Sequence, residues 1–404
     1  MHIKPILSAL RKHRLATLLI ALEIALACAV LCNACFLIVH RIEMMQIDSG
    51  VEEASLGTIQ IDGYEDNQAT DLNARILTGL RSIPGVQSVT QLNSIPFGRR
   101  RGTMGVMRDV DGKTRAGVVE MYLGGPGSFD ALGLRLVAGR KPTVDEYQTF
   151  NDLLPHAAPV VTTRAFAEHV WPGEDPLGKF LYSGDWRYQV VGIVDHFTVP
   201  QPGGMTGVGS EWSVFVPGGS GRFLAGSYLI KAAPGDLERV MRQAKDSIAT
   251  IAPDVVLDQD YSKSLGDLRH YYFRQDRTMA GILIGVIFAL LLVTALGIVG
   301  LASFWVQQRR KQIGIRRAIG ATRGDILHYF QTENFLIVTG GIALGMFMAY
   351  GLNLTLMHLY ELPRLPLFYL PLGAAVLWGL GQLAVLGPAM RAAAVPPVVA
   401  TRSV

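Results

Sequence analysis

Four long apolar runs, Leu15–Val39, Met279–Val306, Asn334–Leu359 and Phe368–Leu386, constrain what this chain can fold into more than any other feature. Each has about the length a helix needs to cross a hydrocarbon core, at about 1.5 Å per residue. Inside lipid a backbone must satisfy its own polar groups, so the runs predict four transmembrane helices. The first follows a short basic segment free of acids, as a signal peptide would. It is too long for one, and no small-residue cleavage site clearly follows, so it reads as an uncleaved span. Residues 40–278, between the first two runs, have soluble composition and belong on one side of the membrane.

Charge sets the direction. The formal net charge of +4 is concentrated near the spans, at Lys4, Arg11, Lys12, Arg14 and a short loop carrying Arg309, Arg310, Lys311, Arg316, Arg317 and Arg323. That pattern places both termini and the loop in the cytoplasm and 40–278 outside it. It is a topology signal, and it argues against nucleic acid as a partner. All three cysteines, Cys28, Cys32 and Cys35, fall in the first run, so no disulfide framework is available to the soluble part. Their spacing makes one stripe of small packing residues on a helix. Glu23 lies in the same run, and a pairing with a nearby basic residue or a neighbouring helix is expected.

The basic loop is more than a solvated anchor. Ile313, Ile315 and Ile319, then Ile326, Leu327 and Phe330, recur at roughly helical spacing among its charges, and Gly320 interrupts them. An amphipathic helix, a hinge and the entry to the third span are predicted. The literal residues, R-x-x-x-I-G-I-R-R-A-I-G-A-T-R-x-x-I, closely resemble the signature of the MacB/FtsX-like permeases, membrane subunits of one class of ATP-binding-cassette system. The resemblance implies that this segment docks on a cytoplasmic ATPase. Its coupling residues would be Arg309, Arg310, Gln312, Ile313, Gly314, Arg316, Arg317, Ala318, Gly320, Ala321, Arg323 and Ile326. One position departs: the family usually has Glu where Gln312 stands, and a charge that could pair within the complex is missing.

Residues 40–278 carry two β-α-β patterns. Ser55–Ile61 alternates as a strand, Leu72, Ile76 and Leu80 mark a helix face, Pro84-Gly85 stops it, and Val86–Leu92 follows as a strand. Ser227–Lys231, the helix face of Leu237, Val240, Met241, Ala244, Ile248 and Ile251, and Val255–Leu257 repeat that order. Between them, 96–226 is rich in glycine and strands. Phe129–Arg140 and Val160–Val194 are similar to phrases of the family's periplasmic domain. The close, Pro388–Arg402, resembles its C-terminal P-x-x-R-A-A-x-x-x-P-x-x-A-x-R. A helix is expected over Ser262–Arg277, running into the second span.

The predicted fold is therefore an α-helical membrane protein with four transmembrane helices plus a large α/β periplasmic domain, in which two β-α-β units flank a strand-rich subdomain. Its parts are a cytoplasmic segment 1–14, spans at 15–39, 279–306, 334–359 and 368–387, a periplasmic domain 40–278, a coupling loop 307–333 and a cytoplasmic tail 388–404.

No chemistry is legible. Gly173–Lys179 fits the start of a phosphate-binding loop, but Phe180 stands where a Mg²⁺-holding hydroxyl belongs, so a turn before a strand is expected. The nine histidines form no metal-binding spacing, Asp195-His196 reads as structural, and Gly218–Gly221 reads as a turn. Trp305, Tyr329, Tyr360 and Tyr369 read as interfacial anchors.

From the resemblance follows a non-catalytic permease subunit in a bacterial inner membrane that binds no cofactor itself, ATP and Mg being held by a separate ATPase dimer. It implies a second permease copy or a homologous permease, a periplasmic adaptor and an outer-membrane channel. It also implies transmission of ATPase movement to the periplasmic domain, driving efflux of a peptide, lipid-like or antibiotic substrate. The alternatives are a non-transporting regulator of a cell-wall hydrolase or sensor, and a lipoprotein-extracting permease.

Overall fold

A computed structural model describes residues 14–149, 155–203, 209–219, 224–360 and 364–396. Most of the basic N-terminal segment, Gly218–Gly221 beyond Gly219, and the tail beyond 396 lie outside these residues. The chain divides into two units, an α/β unit of 44–275 and a helical unit of 1–43 with 276–404.

Helix α1, Arg14–Met45, opens the described chain. The α/β unit begins with β1 (Leu56–Asp62), α2 (Ala69–Arg81) and β2 (Val86–Gln91). A strand-rich segment follows: β3 (Thr103–Met107), β4 (Arg115–Gly124), α3 (Ser128–Leu132), β5 (Leu136–Gly139), β6 (Ala157–Thr163) and α4 (Arg164–Val170). It continues through β7 (Phe180–Ser183), β8 (Trp186–Val194) and β9 (Ser213–Pro217). The chain then returns through β10 (Ser227–Ala232), α5 (Leu237–Ile251), β11 (Val256–Leu257) and α6 (Leu265–Tyr272).

The two β-α-β units do not stand apart on either side of the middle segment. They interleave into one four-stranded sheet, β11-β1-β10-β2, in which every neighbouring pair is antiparallel. Each unit is thus split by a strand of the other, the ferredoxin-like arrangement. Burial on both faces holds the sheet. Ile59 and Ile61 pack with Leu72, Ile76 and Leu80 of α2 and Val240, Ala244 and Ile248 of α5. Leu56 and Leu229 pack with Phe97, Leu265 and Leu268. The middle segment forms a second sheet, β5-β8-β6-β9-β4-β3-β7, closed on itself because β7 also pairs with β8. Val119, Met121, Tyr188, Val190, Val214 and Val216 fill it around Phe166 and Trp171.

Within this unit Arg269 of α6 gathers the chain that follows α1. Its guanidinium donates to Met45 O at 2.9 Å and Ile47 O at 2.8 Å, and pairs with Glu53. It lies 4.4 Å from the ring centroid of Phe97, a buried residue with φ of 65°. A left-handed aromatic residue costs conformational energy that its surroundings must offset.

The helical unit is completed by α7 (Arg274–Gln308), α8 (Arg310–Ala318), α9 (Arg323–Tyr360) and α10 (Tyr369–Ala393). The helix predicted over Ser262–Arg277 is broken, with Phe273 between α6 and α7. All four long helices outrun the predicted spans, α9 most of all, because the mixed polar and apolar residues at 323–333 extend a helix as readily as a purely apolar run. Among the described residues α1, α7, α9 and α10 are long and apolar enough to cross a membrane.

Close approach organises this bundle. A Cβ on Gly341 would lie 2.8 Å from Ala21 O, and one on Gly345 would lie 2.5 Å from Cys28 Cβ. A Cβ on Gly373 would meet Cys32 Sγ at 2.5 Å. The cysteine stripe therefore faces glycines on two other helices, whereas Gly340 and Gly351 face open space. Asn33 Nδ2 donates to Ala349 O at 3.0 Å, joining α1 to α9. Glu23 lies over Gly297 of α7, and among the described residues its buried Oε1 has no hydrogen-bond partner. Among the described residues it meets a neighbouring helix, as expected.

Candidate functional site

The segment from Arg309 to Ile326 folds as α8, a turn and the first turn of α9. Gly320, with φ of 106°, makes the turn, a conformation that L side chains resist. Thr322 and Asp325 then cap α9 reciprocally. Asp325 N–H donates to Thr322 Oγ1 at 3.2 Å and Thr322 N–H donates to Asp325 Oδ2 at 2.8 Å.

The two faces of α8 have opposite fates. Ile313, 4% exposed, packs with Ile326 and Phe330 of α9 and with Ala389, Ala392 and Ala393 of α10. Gly314 is buried beside it, and Ala321 is partly buried against the same cluster. Ile315 and Ile319 are 42% and 82% exposed. They share the outer surface with Arg310, Gln312, Arg316, Ala318, Gly320 and Arg323, all exposed. Arg317 is half-buried and donates to Ala321 O at 3.0 Å, which braces the turn. The apolar periodicity therefore did not mark one stripe. Ile313 and Ile326 are internal, and Ile315 and Ile319 are presented outward.

Arg309 differs from the other cations of the segment. Its Nη1 donates to both carboxylate oxygens of Glu333, at 3.0 and 2.9 Å, and lies 3.3 Å from the Tyr329 hydroxyl. Glu333 is 1% exposed, and the guanidinium sits 5.5 Å over the Trp305 ring. The pair ties the end of α7 to α9. Trp305 is buried and Tyr329 half-buried, so both belong to this joint rather than to an exposed interfacial belt. Glu333 is the residue that the motif does not mark, and Trp305 and Tyr329 join it in place of serving as anchors. The available signal was an acid at the mouth of an apolar run. Gln312 lines a cavity of about 20 Å³ with Arg309, Arg316 and Tyr329.

The features that imitated chemistry resolve into structure. Gly173 and Gly178 adopt φ of 73° and 78° in the turn ahead of β7, and Lys179 pairs with Glu174. Asp195 is buried between Arg135 and Arg164, and His196 Nδ1 lies 2.6 Å from Glu211 Oε1.

Comparison with known proteins covers both units. A family model for the FtsX-like permease C-terminal region matches residues 284–397. A model for the MacB-like periplasmic core domain matches residues 19–247, more than half of the chain. The chain belongs to the MacB/FtsX-like permease family. This permease is 27% identical over 286 residues to a macrolide export ATP-binding/permease protein MacB of Marinobacter nauticus, covering 68% of this chain and 43% of that protein. It is 26% identical over 363 residues to the protein of that name from Shewanella oneidensis, covering 86% and 52%. It thus spans about half the length of the curated relatives it matches. Among solved structures, the periplasmic region of MacB from Actinobacillus actinomycetemcomitans aligns with a TM-score of 0.34 and 16% identity, covering 53% of this chain and 92% of that one.

Proposed function

We propose that this MacB/FtsX-like permease is the membrane subunit of an ATP-binding-cassette export system, and that α8 is where an ATPase pushes on it. The observation that carries the reading is the division of α8, with Ile313 locked into the bundle and Ile315 and Ile319 left outward among arginines. A helix seated on one face and presenting apolar anchors on the other suits a docking element. Force applied to it would reach α9 and α10 through Ile326, Phe330 and Ala389, and α7 through Arg309 and Glu333. The chain of the α/β domain is strung between α1 and α7, so a shift of those helices would move it. On this reading α8 and both termini are cytoplasmic and the α/β domain is periplasmic. The cargo is taken up there as a peptide, lipid-like molecule or antibiotic, and an adaptor and outer-membrane channel complete the route.

The test is to extract the tagged chain gently and identify its companions. A P-loop ATPase together with a periplasmic adaptor is the expected result. An ATPase with a cell-wall hydrolase and no adaptor would replace export with regulation, and the absence of any ATPase would remove the coupling role.

A further inference from the structure

We infer that a groove between the end of α7, the start of α8 and the end of α10, with one arginine from each of the last two, is a binding site for one anionic phospholipid. The groove, of about 200 Å³, is lined by Val306, Pro388 and Val395 and by the side chains of Arg310 and Arg391. That is several times the ~30 Å³ one water occupies in the liquid. Both arginines are exposed, and among the described residues neither has an ion pair or hydrogen bond from its side chain. This sets them apart from Arg309, whose charge Glu333 already meets. Two guanidinium groups at one groove provide fork-shaped donors that suit a phosphate.

The apolar side of the groove favours a lipid over free phosphate. From Ser303 at its edge, one turn back along α7 is Gly300, where an added Cβ would meet nothing within 4 Å. Leu296, a further turn back, is exposed. Positions 296, 300, 303 and 307 share a helix face, so Leu296 and the open position at Gly300 lie on the side of α7 that the groove occupies. The headgroup phosphate would sit between Arg310 and Arg391 and an acyl chain would lie along this open face past Gly300. Basic pockets between transmembrane helices on the cytoplasmic side bind anionic headgroups for the same reason. The inference needs only a bilayer around the helical unit and stands apart from the export reading.

Arg391 also lies in the last turn of α10, where a cation offsets the helix dipole. That role alone predicts a stability change without lipid selectivity, so binding has to be measured directly. The full-length protein is purified in detergent, titrated with phosphatidylglycerol or phosphatidylcholine, and read by native mass spectrometry. One phosphatidylglycerol per chain is expected to persist, bound about tenfold or more tightly than phosphatidylcholine. Arg391→Gln should weaken it at least fivefold, and Arg391→Lys, which keeps the charge without the fork, should weaken it less. Gly300→Leu, which adds bulk on this face and leaves both cations, should also weaken it. Equal retention of the two lipids, or unchanged retention in both Arg391→Gln and Gly300→Leu, would overturn the assignment. So would full displacement of phosphatidylglycerol by millimolar inorganic phosphate.

Discussion

At the scale of single residues, Glu333 has the most at stake, because it is a buried carboxylate whose counter-ion arrives from another helix. Removing one member of a buried pair leaves the other uncompensated, at about 3–5 kcal/mol. Glu333→Ala should therefore lower the unfolding temperature of the detergent-solubilised protein sharply. The double variant Arg309→Met with Glu333→Met should recover much of the loss, which a thermal-shift comparison of the three proteins will show. Glu120 of β4 makes a separate prediction. Burial pushes its carboxyl up to about 7 from an ordinary 4.5, against the opposing pull of the Gly102 N–H and Arg101. The folded state then holds a proton that the unfolded chain releases near pH 4.5, so this contribution is complete below about pH 4.5 and lost as pH rises through 7. The difference is worth roughly 3 kcal/mol. Glu120→Gln should flatten the decline in stability between pH 5 and pH 8 seen by chemical denaturation of the full chain. An unchanged slope would mean that another group sets it. Little of this was legible beforehand. Arg309 stood out in its motif, but Glu333 is 24 residues away in sequence, and only folding shows that they meet.

At the scale of elements, the sequence is a good guide to what is local and a poor one to what is paired. The long apolar runs and the Pro-containing stops located helices and strands because each depends on nearby residues. The interleaving of β1, β10, β2 and β11 did not follow from pattern, since any of these strands could satisfy its backbone against several others. The glycines of the third run illustrate the same limit. Gly340, Gly341, Gly345 and Gly351 are alike in sequence, yet of these four only Gly341 and Gly345 meet α1. Gly341→Leu or Gly345→Leu should therefore separate α1 from α9 and destabilise the fold, whereas Gly351→Leu should be tolerated. Proteolysis of the three variants in membranes distinguishes them. The turn after α8 is equally specific. Gly320→Pro demands a negative φ where the chain needs 106°, and should misplace α8 without preventing membrane insertion.

At the scale of the whole molecule, the proposed function requires that an outward apolar face on α8 receive force and that the helical unit pass it on. A site of this kind was half legible. The motif marked the segment, but which isoleucines turn outward depended on α9 and α10 burying Ile313. Gln312 retains a consequence at this scale. If a partner permease supplies the acid that is absent at this position, a hetero-oligomer should outlast a homodimer in detergent. A fully active homodimer would exclude that. The central claim is tested most directly by cross-linking at α8 in membranes of cells that express the chain at native level. Ile319→Cys is expected to cross-link to a cytoplasmic P-loop ATPase, and Ile313→Cys, buried in the bundle, is not. Failure of Ile319→Cys to capture the ATPase, or equal capture from both positions, would contradict the assignment of α8 as the coupling helix.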